Sequence, residues 1–273
     1  MPHISQLFIY PVKSLGGIAV QEALVTSRGL QHDRRWMLIN NKNRFLTQRS
    51  NAQLALFQLE LTADGFKVVY LPTTSTEIIP FKPQINEELT VHIWNDECRA
   101  TLVSYNLNEW FSKILNAEVR LVYMSDDSIR SVDDQYAGPG HITSFADDYP
   151  MLLIGQSSLD DLNMRLAKLV PMNRFRPNMV IDGVEPYLED KMQHFTAAGI
   201  DFYGIKPCAR CVMTTIDQQT ASAGIEPLKT MARYRKANKK IYFGQNLVHL
   251  GSGILKVGDE IAIITLGKDL AFD

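Results

Sequence analysis

Two of the chain's three cysteines, Cys208 and Cys211, stand in a C-x-x-C spacing within the stretch "KPCARCVMTTID". Thiols at this spacing can form a redox pair, supply half of a zinc site, or provide one thiolate for a soft metal. A structural zinc site needs four ligands, but Cys98 lies on a separate predicted hairpin and the six histidines show no paired spacing. A thioredoxin-like pair normally precedes a helix, whereas the β-branched "VMTTID" predicts a strand. The zinc and redox interpretations are therefore both disfavoured.

Two interpretations of the pair remain open on this stretch alone. The cysteines can be small, buried and inert, which is the commonest fate of a free cysteine. Alternatively, one of them is a thiolate ligand to a metal carried by a cofactor, and the flanking Lys206 and Arg210 would favour its ionised form.

Basic residues next to predicted strands favour the second interpretation. The pairs are Lys13 with Ser14 in "YPVKSLGG", Arg34 with Arg35 in "GLQHDRRWML", and Arg174 with Arg176 in "NRFRPNMV". On an extended segment Arg174 and Arg176 would share a face, and a guanidinium group suits bidentate contact with phosphate. Each basic residue by itself is ordinarily a solvated surface charge. Together with the thiols, they predict a site for an anionic, phosphate-bearing cofactor.

The elements that must position these residues are mostly strands. β-formers alternate or cluster between proline and glycine in residues 5–14 and 18–30, and residues 36–47 predict a hairpin. Further hairpins follow, with turns at Asp64-Gly65 and Asn95-Asp96, and the end of the chain predicts two strands around Gly258-Asp259. We expect a mainly β fold with α+β elements.

Two helices interrupt this pattern. Apolar residues recur at helical spacing in residues 105–116, and a second helix is predicted after Ser157 and Ser158, which can cap it, with Leu159 to Leu169 along one face. Between these helices, residues 124–150 have the polar composition of a long loop, and such loops are usually functional or mobile. We place the domain boundary just before this loop, giving domains 1–124 and 125–273.

The composition is that of an ordinary soluble globular protein. The chain has 273 residues, 45% of them hydrophobic and 21% charged, and its net charge of −2 provides no global basic field for nucleic acid. No run approaches a membrane span, the N-terminus does not predict a secretory signal, and the odd cysteine count suits a reducing compartment. We therefore expect a cytoplasmic protein with no membrane span and no nucleic-acid partner. No dinucleotide, haem or iron–sulfur motif is present.

Several motifs in a fixed order resemble one known family across essentially the whole chain. They are "IYPVKS", "HDRRWM" followed by "FLTQR", "LLIGQSSLDDLN", "NRFRPN", "PCARCVMTTID", "EPLKTMARYR", and "FGQN" ahead of "ILKVGDEI". The chain resembles the MOSC superfamily, the molybdenum-cofactor sulfurase C-terminal-like proteins. Within it, the similarity is to the group with an extra N-terminal β-barrel, which includes the amidoxime-reducing components and bacterial relatives. The resemblance implies an N-terminal MOSC-type β-barrel domain and a β-rich MOSC domain with a few helices.

The resemblance also implies a site. The cofactor would be molybdenum held by a pyranopterin dithiolene (molybdopterin), with Cys211 as the protein ligand to the metal and the catalytic residue, and Cys208 as a neighbour. Other positions that match the family's cofactor-binding pattern are Lys13, Ser14, Arg34, Asp147, Asp148, Arg176, Ala209 (through its backbone) and Asn246 in the "FGQN" turn. The animal relative has Thr at the position of Asp148.

The activity implied is removal of oxygen from N-hydroxylated compounds such as amidoximes, N-hydroxylated bases and hydroxylamines. An acid from the loop between Asp126 and Asp148 would protonate the leaving oxygen. Because the sequence holds no electron-carrier motif, we expect a separate electron-donor protein. Two alternatives remain, namely sulfur transfer through a cysteine persulfide and a non-catalytic carrier of the molybdenum cofactor.

Overall fold

A computed structural model describes residues 1–268 and 271–272 of the chain. Within this part of the chain, strands are the dominant element. The strands are β1 (His3–Ile9), β2 (Ile18–Val20), β3 (Glu22–Thr26), β4 (Gly29–Leu30), β5 (Trp36–Asn40), β6 (Phe57–Leu61), β7 (Gly65–Tyr70), β8 (Ser75–Pro80), β9 (Glu88–Ile93), β10 (Asp96–Leu102), β11 (Val119–Tyr123), β12 (Met151–Gly155), β13 (Met179–Asp182), β14 (Met192–Ala197), β15 (Ile200–Ala209), β16 (Lys236–Ala237), β17 (Lys240–Leu250), β18 (Gly253–Lys256) and β19 (Ile261–Leu266). The predicted mainly β class is confirmed.

The helices are short. The α-helices are α1 (Tyr105–Leu115), α2 (Asp134–Ala137), α3 (Gln156–Met164) and α4 (Leu228–Met231), and 3-10 turns occupy Ala52–Leu56, Met172–Arg174, Leu188–Lys191 and Val212–Thr215. The helix predicted over residues 105–116 is confirmed as α1. Its apolar face buries Leu107 and Phe111, and Phe111 packs against Phe57 of β6 with the ring centroids 5.3 Å apart.

The second predicted helix is shorter than its apolar pattern. Helix α3 ends at Met164, so Leu169 lies beyond it and is 70% exposed. The predicted caps are also wrong, because α3 begins at Gln156 and Gly155 holds the N-cap position. Ser158 lies inside the first turn, where its hydroxyl donates to the buried carboxylate of Glu189 at 2.8 Å.

The largest sheet has the strand order β19-β14-β15-β17-β12-β13-β1-β2, and β16 also pairs with β17. Among the described strands of this sheet, β12 and β13 pair in parallel and the other pairs are antiparallel. Smaller sheets have the orders β5-β11-β10-β9, β18-β3-β4 and β6-β7-β8. The hairpins predicted around Asp64-Gly65 and Asn95-Asp96 are confirmed as β6–β7 and β9–β10.

Strands from the two ends of the chain share sheets. Strand β1 joins the largest sheet beside β13, with His3 opposite Asp182 and Leu7 opposite Met179. Strand β3 pairs with β18, with Val25 opposite Gly253. The two predicted domains are therefore joined by hydrogen-bonded strands, and the boundary at residue 124 remains a prediction.

Candidate functional site

A cavity of about 320 Å³ opens between the N-terminal segment and the largest sheet. Every cofactor-binding or metal-ligating residue that the family resemblance implies lines this cavity, whereas Arg35, predicted beside Arg34, does not line it and instead pairs with Asp126 at 2.8 Å. The implied residues are Lys13, Ser14, Arg34, Asp147, Asp148, Arg176, Ala209, Cys211 and Asn246. Their roles stay predictions, but the structure brings them together from segments far apart in the chain.

Different elements deliver these residues. Lys13 and Ser14 follow β1, Arg176 precedes β13, and Ala209 ends β15, so three strands of one sheet direct their ends toward the cavity. Asn246 lies within β17, not in a turn as the sequence suggested. The "FGQN" glycine, Gly244, has φ +81°, and the strand pairing shifts register around it, so the irregularity that predicted a turn is a β-bulge.

The two thiols lie beside different arginines. The Arg49 Nε donates to the Sγ of Cys211 at 3.2 Å, whereas Arg210 donates to the Sγ of Cys208 at 3.0 Å. Both cysteines are free and only partly buried. Lys206 was expected to place a cation beside the thiols. Its Nζ instead lies over the ring of Tyr136, 4.0 Å from the ring centroid. The pair is therefore chemically asymmetric, and Arg49 supplies the cation beside Cys211.

The segment after Cys211 is not the predicted strand. Residues Val212–Thr215 form a 3-10 turn, and Cys211 holds its N-cap position. The hydroxyls of Thr214 and Thr215 donate to the carbonyl oxygens of Cys211 and Val212, at 3.0 and 2.8 Å. These local side-chain hydrogen bonds stabilise the turn and outweigh the strand preference of the β-branched residues.

Asp147 connects the cations on one side of the cavity. Its carboxylate accepts from the Lys13 Nζ at 2.5 Å and from the Arg49 guanidinium at 3.1 Å, and the indole N–H of Trp94 lies 3.3 Å from it. Desolvation in the cavity wall would raise the pKa of Asp147, but the charges of Lys13 and Arg49 outweigh it and hold the pKa far below the ordinary value. Asp147 is therefore a carboxylate anion throughout the physiological pH range.

Two cationic side chains of the cavity pack against one aromatic ring. The guanidinium carbons of Arg34 and Arg176 lie 4.3 and 4.2 Å from the ring centroid of the buried Tyr10. Arg34 also donates to the buried Asp33 at 2.6 Å, and Arg176 to the carbonyl oxygen of Leu15 at 2.6 Å. Burial, and secondarily the charge of Arg34, lower the pKa of Arg176 to about 10, so it remains a cation at neutral pH.

Arg174 and Arg176 do not share a strand face as predicted. Arg174 ends the 3-10 turn Met172–Arg174, and Arg176 has φ +56°, so the segment is bent where the sequence suggested an extended chain. Both side chains still reach the cavity, and Arg174 is held by Asp217 at 2.7 Å.

The cavity has more positive than negative charge, and some of its donors lack acceptors. Among the described residues that line it, six are basic (Lys13, Arg34, Arg49, Arg174, Arg176, Arg210), and the acidic ones are Asp147 and Asp148. The buried Nε atoms of Arg174 and Arg210 have no hydrogen-bond partner within the described part of the protein. Buried N–H groups are rarely left without an acceptor, so this arrangement is suited to an anionic ligand.

Sequence reasoning missed several lining residues that make polar or aromatic contacts, among them Arg49, Trp94 and Asn178. Arg49 ends the "FLTQR" motif, so a signal was present, but nothing in the sequence joins it to a thiol 162 positions away. Among residues 1–268 and 271–272, no group of three or more His, Cys, Asp and Glu is placed to hold a metal ion.

Comparisons with known proteins agree with this picture. Residues 1–118 match the MOSC N-terminal beta barrel domain, and residues 140–262 match the MOSC domain. The chain is 31% identical to mitochondrial amidoxime-reducing component 1 of Homo sapiens, over 96% of this chain and 82% of that one. It is 29% identical to mitochondrial amidoxime reducing component 2 of Bos taurus, over 94% and 82% of the two chains. It is also 29% identical to molybdenum cofactor sulfurase of Solanum lycopersicum, over 94% of this chain but 35% of that larger protein.

The described residues contain no helix that is both long and apolar enough to span a membrane.

Proposed function

The chain belongs to the MOSC family, with a MOSC N-terminal barrel ahead of the MOSC domain, and on this premise we propose that it is a molybdenum-cofactor-dependent reductase of N-hydroxylated compounds. The observation that carries the proposal is the cavity. Its wall sets the side chain of Cys211 among basic residues from both halves of the chain, which supports Cys211 as the ligand.

The residues present fit the cofactor. A pyranopterin dithiolene carries a phosphate, and the unpartnered Nε donors of Arg174 and Arg210 are suited to anionic or carbonyl oxygens. Arg34 and Arg176, gathered on Tyr10, add fixed positive charge. Cys211 would bind the metal, because thiolate ligands suit soft metal centres.

When bound, the cofactor supplies the two-electron oxidation and reduction that the protein's own side chains cannot perform. The chain's residues bind and orient it. Arg49 holds the Cys211 sulfur from one side, and the Lys13–Asp147 ion pair fixes Arg49.

The proposed reaction converts an amidoxime, two electrons and two protons into an amidine and water, with cleavage of the N–O bond. The electrons would come from a separate electron-donor protein. Asp147, expected to be among the candidate proton donors, is unsuited to the role because its pKa is held so low that it carries no proton to give. Asp148 is exposed at the cavity rim, and it remains a candidate for the proton.

The test compares the two cysteines, with protein produced in a host that makes the cofactor. Cys211→Ser should abolish reduction of an N-hydroxylated substrate and change the molybdenum spectrum. Cys208→Ser is the matched control, because Cys208 lies in the same segment but contacts Arg210 instead of Arg49. This variant should retain much of the activity and of the molybdenum spectrum. Equal and mild effects in the two variants would overturn the assignment of Cys211 as the ligand. Absence of molybdenum and pterin from the wild-type protein would overturn the function.

The similarity to a molybdenum cofactor sulfurase favours sulfur transfer as a second candidate. Sulfane sulfur on a cysteine of the purified protein, without turnover of N-hydroxylated compounds, would support it. Tight cofactor binding with neither activity would instead indicate a carrier. The cytoplasmic location stays a prediction, and the amidoxime-reducing relatives are named as mitochondrial.

A further inference from the structure

Trp94 is an exposed aromatic residue on the wall of the functional cavity. It lies at the turn between β9 and β10, and 45% of its surface is exposed. The other two tryptophans behave differently, since Trp36 is fully buried and Trp110 is partly buried against the core. Other large side chains, such as Tyr105 and Tyr136, are exposed to a similar degree or more, so the contacts of Trp94 rather than its exposure distinguish it.

Three contacts hold the exposed indole in place. The indole N–H points to Asp147 at 3.3 Å, the Phe45 ring packs edge-on at 5.0 Å, and the Arg49 guanidinium lies 4.7 Å from the ring centroid. A surface aromatic that served only to fill space would not need a hydrogen bond, a ring contact and a cation. The indole is thus held in one orientation at the cavity wall, although nearly half of its surface is exposed.

The backbone of Trp94 is also in an unfavourable conformation. Its φ of +54° lies in the left-handed region, which disfavours bulky side chains and which glycine or asparagine adopts more readily. Ser14, Arg34 and Arg176 on the same cavity wall share this conformation. Strain of this kind persists where the surrounding structure enforces it, and it clusters at functional sites.

Arg49 links Trp94 to the thiol. The same guanidinium group that lies over the indole donates to the Sγ of Cys211 at 3.2 Å. Arg49 covers one face of the indole, so a planar group would stack on ring surface that Arg49 leaves exposed, and Trp94 lines the same cavity as Cys211.

We propose that Trp94 is a stacking platform that selects flat, π-conjugated N-hydroxylated substrates over aliphatic ones. This inference rests on the proposed reductase function and names the substrate class of that site. Stacking on a tryptophan face tolerates any planar ring, so the platform would favour aryl amidoximes and N-hydroxylated bases as a class.

The experiment compares two substrates that differ only in the group beside the amidoxime, namely benzamidoxime and acetamidoxime. We expect Trp94→Ala to lower the ratio of kcat/KM for benzamidoxime to that for acetamidoxime by roughly tenfold, mainly through KM for benzamidoxime. Trp94→Phe keeps a ring but loses the N–H that reaches Asp147, so it should retain most of the ratio. Tyr105→Ala, which removes an exposed aromatic from the start of α1, is the control and should leave the ratio unchanged.

The ratio separates stacking from a general disturbance of Asp147 and Arg49, since such a disturbance would slow both substrates equally. A Trp94→Ala variant with the wild-type ratio would overturn the proposal, and so would a Trp94→Phe variant that loses the ratio as fully as Trp94→Ala.

A binding measurement separates this proposal from the reductase function. Benzamidoxime added without an electron donor should quench the tryptophan fluorescence of the wild type, and Trp94→Phe should abolish the quenching. If the wild type reduced neither substrate, the reductase proposal would fail, while Trp94-dependent quenching would still support the platform. Quenching that persisted in Trp94→Phe, or none in the wild type, would overturn it.

Discussion

Arg49 shows what a single side chain contributes to the site. It donates to the Sγ of Cys211 and to the carboxylate of Asp147, and it lies over the indole of Trp94. Three groups of different chemistry are thereby held in fixed relation by one rigid, planar cation. Lysine could supply the charge but not the fork of donors that reaches both acceptors.

We predict that Arg49→Gln lowers the kcat for an N-hydroxylated substrate by roughly tenfold or more, because each lost hydrogen bond to a charged group contributes about 1.5–3 kcal/mol. Arg49→Lys should fall between this variant and the wild type. Steady-state kinetics and molybdenum content per chain would be measured together.

The matched control is Arg44→Gln, an exposed arginine five residues earlier on the same segment, which should behave as wild type. Arg49 would have no special role if the two glutamine variants were alike in kinetics and in molybdenum content.

At the scale of elements, β15 and β17 carry much of the site. They pair along most of their length, and they bring Ala209 and Asn246 to the same cavity. The bulge at Gly244 is packed tightly, because a Cβ there would lie 2.7 Å from the Ile154 side chain and from the carbonyl oxygen of Leu153. Only a residue without a side chain allows β17 to approach β12 this closely.

Two glycine variants test this packing. Gly244 and Gly251 have similar left-handed backbones, with φ of +81° and +91°, but a Cβ at Gly251 would have no neighbour within 4 Å. Gly251→Ala should therefore lose only about 1–2 kcal/mol of unfolding free energy from its backbone. Gly244→Ala should lose about 1–3 kcal/mol more from overpacking.

Urea unfolding would measure the unfolding free energy of both variants and of the wild type. The dependence of that free energy on urea concentration should be the same in all three proteins. Equal losses in the two variants would show that β17 has room at the bulge, contrary to the structure.

On the scale of the whole molecule, the sheets join the two ends of the chain. Strand β1 lies between β13 and β2, and β3 pairs with β18, so residues of the first predicted domain complete sheets of the second. One large apolar cluster includes Ile4 and Val25 together with Phe195 and Leu255. The two domains that the sequence predicts are thus expected to unfold together.

Limited chymotrypsin cleavage near the exposed Tyr136 tests this coupling. We expect the two fragments to elute together in size-exclusion chromatography and to separate only in denaturant, because the cleaved loop crosses none of the shared strand pairs. Uncut protein treated with inhibited protease is the control. Fragments that separated in native buffer would instead favour two independent domains.

The sequence by itself determined the fold class, most hairpins, helix α1 and the identity of the predicted cavity residues. Strands and turns are indicated by alternating β-formers and turn residues that lie close together in the sequence, and α1 is indicated by its apolar period of 3.6 residues. All of these signals are local. The short motifs that carried the family resemblance were also local, so Lys13, Arg176 and Cys211 could be named from the amino-acid sequence alone.

Only the tertiary structure decided which groups touch. The sequence placed Lys206 beside the thiols and left the proton donor unnamed within the loop that contains Asp147. Folding instead gives Cys211 an arginine 162 positions away and leaves Asp147 an anion between Lys13 and Arg49. Strand propensity could not foresee the turn after Cys211, because threonine hydroxyls stabilise it locally. Contacts between distant residues and the pKa values they set depend on how the sheets close, and no local pattern records that.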